Sequence, residues 1–225
     1  MKRLVQKGTG PRRDLYLLLA LSVLFSLGLV VAGAWYTDQR YFQPHYRYLV
    51  WNLFLAAIPF AISSILRNHA KRLSALILAF GAALWLLFFP NAPYILTDFF
   101  HLSNNQAVPG WYDLMVILSF AWNGLVLGFV SLQDMQVKIA KRWGSLFAWG
   151  FAFVSLGLGS FGIYIGRYLR WNSWDIVTNP FSLVYDIIPR VLDPLAHPGT
   201  WGMTVVFTVF LTLCYLTLVR FSRTF

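Results

Sequence analysis

Six stretches of this chain run 17 to 23 residues without a charged side chain, and most of their residues are apolar. They are Leu15–Tyr36, Tyr48–Leu66, Leu73–Phe89, Leu114–Leu132, Gly144–Gly166 and Trp201–Val219. A helix needs about 20 apolar residues to cross the hydrocarbon core of a bilayer. Backbone amides in lipid must bond within their own segment, so such runs fold as helices. The third run is the shortest, and Pro90 and Pro93 stand at its exit. Composition agrees. The chain is 58% hydrophobic and 12% charged, whereas a soluble domain carries roughly 25% charged residues. A soluble globule, a disordered chain and a coiled coil are excluded. The expected fold is all-α, a single polytopic membrane domain over residues 1–225 with six transmembrane helices. The first run exceeds a signal-peptide core, and Gly33-Ala34-Trp35 makes a poor cleavage site, so no cleaved leader is expected.

Charge sets the expected sidedness. Counted by alternate loops, 13 Lys and Arg fall on one side and 5 on the other. The positive-inside rule then places both termini in the cytoplasm, and the long loops Pro90–Asp113 and Arg167–Thr200 outside. The net charge of +10 thus reads as membrane topology, with no nucleic-acid partner. All five Lys fall inside, and the five outer cations, Arg40, Arg47, Arg167, Arg170 and Arg190, are all Arg. Six of the eight Asp are outer as well. Arg presents a planar fork that pairs with carboxylate or phosphate bidentately. The outer face therefore reads as a nearly neutral ion-pair and hydrogen-bond layer.

Two outer segments carry chemical character. In the first, Phe89–Leu102, Asn91 can cap a helix and Pro93 fits a first turn. On a helix over Tyr94–Leu102, the residues Tyr94, Thr97, Asp98 and His101 share one arc of about 100°, and apolar residues fill the rest. A short helix with one polar stripe is expected, interfacial or re-entrant. Asp98 and His101 stand three apart, so they could share a metal, or Asp98 could orient His101 as a base. A third ligand would come from Asp113, Asp175 or His197. The plainer alternative is a structural Asp–His hydrogen bond.

The second segment is Gly162–Asp175. If the fifth span continues outward as helix, Arg167 lies over Trp171 and Arg170 over Trp174 at i,i+4 spacing. Cation–π stacking would hold both guanidinium groups rigid beside Asn172, where they could bind a lipid phosphate or another anion. The plainer alternative is an interfacial belt of aromatic residues and snorkelling Arg.

Within the spans, Asn52 and Asn123 read as hydrogen-bonding glue between helices. The pairs Gly124/Gly128 and Gly162/Gly166 read as close-packing positions. Cys214, the single cysteine, reads as packing. Gly159-Ser160-Phe161-Gly162 superficially resembles a serine-hydrolase turn, but the last span has no His to serve as its base. There is no H-E-x-x-H, no P-loop and no G-x-G-x-x-G followed by strand-like sequence, and no cofactor is expected.

Phe-Pro-Asn-Ala-Pro-Tyr followed by Thr-Asp-x-x-His-Leu at 89–102, together with 119–128 and 162–175, resembles the membrane family called domain of unknown function 1361. The resemblance runs from the second span to the sixth. It implies a multi-pass protein of the bacterial inner membrane and supplies no activity. The leading functional expectation is binding or passage of an anionic or lipid ligand at the outer leaflet. Its residues would be Tyr94, Asp98, His101, Arg167, Arg170, Trp171 and Asn172. One alternative is an enzyme acting on a lipid or phosphate ester through Asp98, His101, Asp113 and Asp175. Another is a partner subunit or assembly factor. Membrane lipid is the expected partner in each case, and the sequence leaves the oligomeric state open.

Overall fold

The computed structural model of the chain describes residues 10–36, 46–68, 74–102 and 108–224. Lys2, Arg3, Lys7, Asp38, Arg40, Lys71, Arg72 and Leu73, which enter the charge count or the span limits, lie outside the described residues. Among the described residues every regular element is helical. The order is α1 (Gly10–Tyr36), α2 (Arg47–Asn68), α3 (Ala75–Phe88), α4 (Asn91–Tyr94), a 3-10 segment (Ile95–His101), α5 (Gly110–Trp143), α6 (Ser145–Tyr168), α7 (Asp175–Thr178), α8 (Pro180–Leu192) and α9 (Pro198–Thr224).

Six of these stretches are long and apolar enough to cross a membrane: Arg12–Trp35, Arg47–Arg67, Ala75–His101, Gly110–Trp143, Ser145–Tyr168 and Pro198–Phe221. Each answers to one of the six runs read from the sequence. Phe80, Leu146 and Val206 point outward, as lipid contact requires and water would penalise. The protein is an integral membrane protein.

Helix α5 is the central post. It packs against α1, α2, α4, the 3-10 segment and α6, while α9 leans on α6 and α3 on α2. At 34 residues it is roughly 50 Å long, well beyond a 30 Å hydrocarbon core. It runs past the expected end at Leu132 because its charged residues are accommodated. Asp134 is buried, and its Oδ1 accepts from Arg12 of α1 at 2.7 Å and from Arg67 of α2 at 2.9 Å. Lys141 and Arg142 occupy the last turn, where cations suit the carbonyl end of a helix. Gly144, at φ 92°, then turns the chain into α6 through a conformation that favours glycine.

The third crossing stretch takes in the segment expected to form a short helix over Tyr94–Leu102. The chain stays helical from α3 through Phe89 and Pro90 into α4, then tightens to 3-10 over Ile95–His101. Pro90 and Pro93 lack the N–H that a regular α-helix would use, which breaks the ladder without ending the rod. Ala92 and Ile95 are fully buried, so this end of the rod is wedged inside the bundle.

Candidate functional site

The wedge sits deep because its neighbours present glycine. A Cβ on Gly124 of α5 would lie 2.5 Å from the Ala92 carbonyl oxygen, and one on Gly128 would meet the Ala92 Cβ at 3.0 Å. From α6, Gly159 faces the Phe89 ring, Gly162 the Pro90 ring and Gly166 the Tyr94 ring, all at 3.2 Å or less. The two expected small-residue pairs therefore grip one object, the proline-interrupted rod between α5 and α6. That grip fixes the height and rotation of Tyr94, Thr97, Asp98 and His101.

All four of those residues meet Arg167, at the end of α6. Arg167 Nη2 donates to Asp98 Oδ1 in a close ion pair. Its Nε donates to Thr97 Oγ1 at 2.7 Å, and its Nη1 lies 3.1 Å from His101 Nε2. Guanidinium only donates, so His101 Nε2 faces it as an acceptor. The guanidinium carbon stands 4.4 Å from the centre of the Tyr94 ring, a cation–π contact. Asn52 of α2 completes the set, its Nδ2 donating to Asp98 Oδ2 at 2.9 Å. Both Asp98 oxygens are thus engaged. The Asp98 side chain is 1% exposed and that of Arg167 13%. Buried charges persist in pairs of this kind because a lone one is expensive.

Next to this layer lies a cavity of about 290 Å³ between α2, the α3–α4 rod, α6 and the α7–α8 segment. Its polar lining is Asn52, Asn91, Tyr94, Trp171, Asn172 and Ser173. The rest is apolar, and no charged side chain lines it. Asn52 and Tyr94 belong to both the cavity wall and the Arg167 layer. Ser173 ties the segment after α6 down, accepting from Asn91 Nδ2 at 2.9 Å and donating to the Leu87 carbonyl at 2.9 Å.

The expected stacking of Arg167 on Trp171 and Arg170 on Trp174 does not occur. Helix α6 stops at Tyr168, and Arg170 takes a left-handed φ of 61°, so no i,i+4 face exists beyond that point. Trp171 instead donates its indole N–H to Asp186 at 2.8 Å, and Trp174 meets Trp51 edge-on at 6.4 Å. Arg170 is exposed in the turn.

The acidic candidates separate. Asp98 belongs to the Arg167 layer. Asp113 is buried and accepts from Tyr46 Oη at 3.0 Å. Asp175 accepts the Asn172 backbone N–H at 2.7 Å and the Thr178 hydroxyl at 3.0 Å, and the Asn172 N–H foremost holds its carboxyl below the ordinary aspartate range. His197 sits in the turn before α9. Among the described residues no group of three or more His, Cys, Asp or Glu is placed to hold a metal ion.

Sequence reading missed two features. Asn52 reads as interhelical glue, yet it is the second partner of Asp98. Its position one turn into α2, at the same end as Asp98, is the available signal. The loop expected over Arg167–Thr200 contains α8. That helix is too short to register as a span, and Pro189, Asp186 and Arg190 interrupt its apolar character.

A family model described as protein of unknown function (DUF1361) matches residues 51–214, and the chain belongs to that family. The match takes in Asn52, the wedged rod, α5, α6 and the whole cavity lining. No curated protein and no solved structure matches the chain.

Proposed function

We propose that this DUF1361 chain binds a lipid or lipid-like amphiphile at the outer face of the membrane. The ligand's polar group would sit in the cavity beside the Arg167–Asp98 layer. The observation that carries this reading is the two-part lining. Asn91, Asn172, Ser173, Asn52 and Tyr94 offer uncharged donors and acceptors, and Leu55, Leu86, Ile165 and Ile187 offer apolar wall. Concave, mostly apolar sites with a few fixed polar groups are the usual form of a small-molecule site. Their volume starts at roughly 300 Å³, so this cavity suits a headgroup and the first carbons below it.

The lining also refines the ligand's chemistry. Sequence reasoning places an anion on the Arg side chains, but Arg167 is neutralised by Asp98 and absent from the cavity wall. A hydroxyl- or carbonyl-rich head fits the wall better than a bare phosphate. In this reading Arg167 is a positioning residue. It holds Tyr94 by its ring and Asn52 through Asp98, and so sets the spacing of two cavity groups.

Native mass spectrometry tests the proposal. The protein is extracted from its membrane in mild detergent and challenged separately with dioleoylglycerol and dioleoyl phosphatidylglycerol. Wild type should retain a lipid adduct, with the uncharged diacylglycerol favoured. Leu87→Trp, which fills the cavity from α3, should lose the adduct while keeping its helical circular dichroism. Equal retention by wild type and Leu87→Trp would remove the case for this site.

A further inference from the structure

Helix α8 is amphipathic in the reverse of the aqueous sense. Both of its charged residues, Asp186 and Arg190, turn toward the protein with Leu183 and Ile187. Asp186 Oδ2 accepts from the Trp171 indole at 2.8 Å, Arg190 Nη1 donates to the Asp186 carbonyl, and the Arg190 carbonyl accepts from the Trp201 indole at 2.7 Å. The opposite arc holds Phe181, Val184, Tyr185, Ile188, Val191 and Leu192, all exposed, with Phe181 at 88% and Tyr185 at 79%. Ser182 is the lone aliphatic polar side chain on that arc. Leu195, just beyond the helix, is 92% exposed.

A 13-residue helix is about 20 Å long and cannot cross a bilayer. A face so uniformly apolar would be strongly disfavoured in water. At the membrane interface the same face is satisfied by acyl chains, with Tyr at headgroup depth. The neighbouring spans expose the same kind of surface, so the apolar face of α8 continues their lipid-facing belt.

The inward side of α8 adds a second observation. Leu183 and Ile187 line the cavity, as does Ile176 of α7. Only three of the lining residues are themselves exposed: Trp51, Ile176 and Asn172. Two of these are large and apolar, and Trp51 is braced by Trp174. The rim of the cavity is therefore mainly hydrophobic, which suits acyl chains better than water.

We infer that α8 lies flat in the outer leaflet, its exposed face in lipid, and forms the side wall of an entrance from the bilayer into the cavity between Trp51 and Ile176. The ligand then reaches its site by lateral movement from the leaflet, headgroup first, without passing through bulk water. The entrance rests on the ligand reading above; the placement of α8 does not.

Spin labels in nanodiscs of phosphatidylcholine and phosphatidylglycerol test the placement. In a Cys214→Ala background, single variants Phe181→Cys, Tyr185→Cys and Leu192→Cys are labelled. Phe80→Cys serves as lipid reference and Lys141→Cys as water reference. All sites are on exposed positions, so labelling displaces no packed side chain. The three α8 labels should collide with oxygen as Phe80 does and lose the nickel-chelate collisions seen at Lys141. Nickel-chelate accessibility equal to that at Lys141 would overturn the inference and leave ligand binding from water standing.

The entrance is tested with a diacylglycerol carrying a diazirine near its headgroup. Crosslinks should fall on residues around Trp51 and Ile176, and Ile176→Lys should abolish them. If α8 proves lipid-embedded and no crosslink reaches the rim, the entrance is refuted. If rim crosslinks form but Leu87→Trp keeps its lipid adduct, the cavity reading falls and the entrance that rests on it falls too, while the placement of α8 stands.

Discussion

Substituting Arg167 by Met, which keeps much of the aliphatic stem and removes the charge, isolates the polar layer. The substitution strands Asp98, whose side chain is 1% exposed and whose remaining partner is the Asn52 amide. Removing one member of a buried ion pair costs about 3–5 kcal/mol, because the other charge is left without compensation. Loss of the contact on Tyr94 adds about 0.5–2 kcal/mol. Asp98→Asn leaves the Arg167 charge uncompensated in turn, but at 13% exposure that charge keeps some contact with solvent, so the loss is milder. The carboxamide oxygen can still accept from Arg167, but its NH2 then faces the Asn52 Nδ2 donor, and one unsatisfied buried group costs about 1–3 kcal/mol. The double variant carries no buried charge at this layer, so it should be less unstable than the two single losses sum to. A coupling energy of about 1–3 kcal/mol is expected. The assay is unfolding in mixed micelles with increasing dodecyl sulfate, followed by circular dichroism for all four proteins. Single losses adding to within about 0.5 kcal/mol of the double would refute the reasoning, since they would mean that the two side chains do not hold each other.

Gly124→Ala should destabilise the protein by about 1–3 kcal/mol in the same assay, because the new methyl would meet the Ala92 carbonyl oxygen of the wedged rod; a gain of about 1 kcal/mol, as helix propensity alone would give, would contradict that close approach. Arg170→Gly should leave stability unchanged or raise it by up to about 1 kcal/mol, as the left-handed turn no longer carries a side chain; a large loss would place the Arg170 side chain in the packing. Asp134→Leu should cost more than either Arg12→Met or Arg67→Met, since each Arg removal leaves Asp134 its other partner; equal losses for all three would show that the α1–α2–α5 tie is not shared through one carboxylate. Reporter fusions should read cytoplasmic at Lys141 and external at Asn179, and the reverse pattern would overturn the expected sidedness.

The sequence by itself determined the number of helices long and apolar enough to span a membrane, although the third and fourth run on past their expected ends to His101 and Trp143. A long uncharged apolar run can satisfy its backbone within its own segment in lipid only as a helix, and that constraint is local. The polar stripe of Tyr94, Thr97, Asp98 and His101 was legible for a similar reason, because residues three apart share a face whether the turn is α or 3-10. Tertiary structure decided what the stripe faces. Arg167 lies about 70 residues away, and nothing local distinguishes it from Arg170 three positions later. The left-handed turn at Arg170 separates them, ending α6 so that Arg167 points into the bundle and Arg170 out of it. Asn52 becomes a partner of Asp98 only because the glycines of α5 and α6 let the proline-broken rod sink to its level. The same contrast holds for α8. Its alternation of apolar and charged residues is in the sequence, but which side faces inward is not. In water the apolar side would turn in; here the indoles of Trp171 and Trp201 hold the polar side against the protein, and the apolar side is left for lipid.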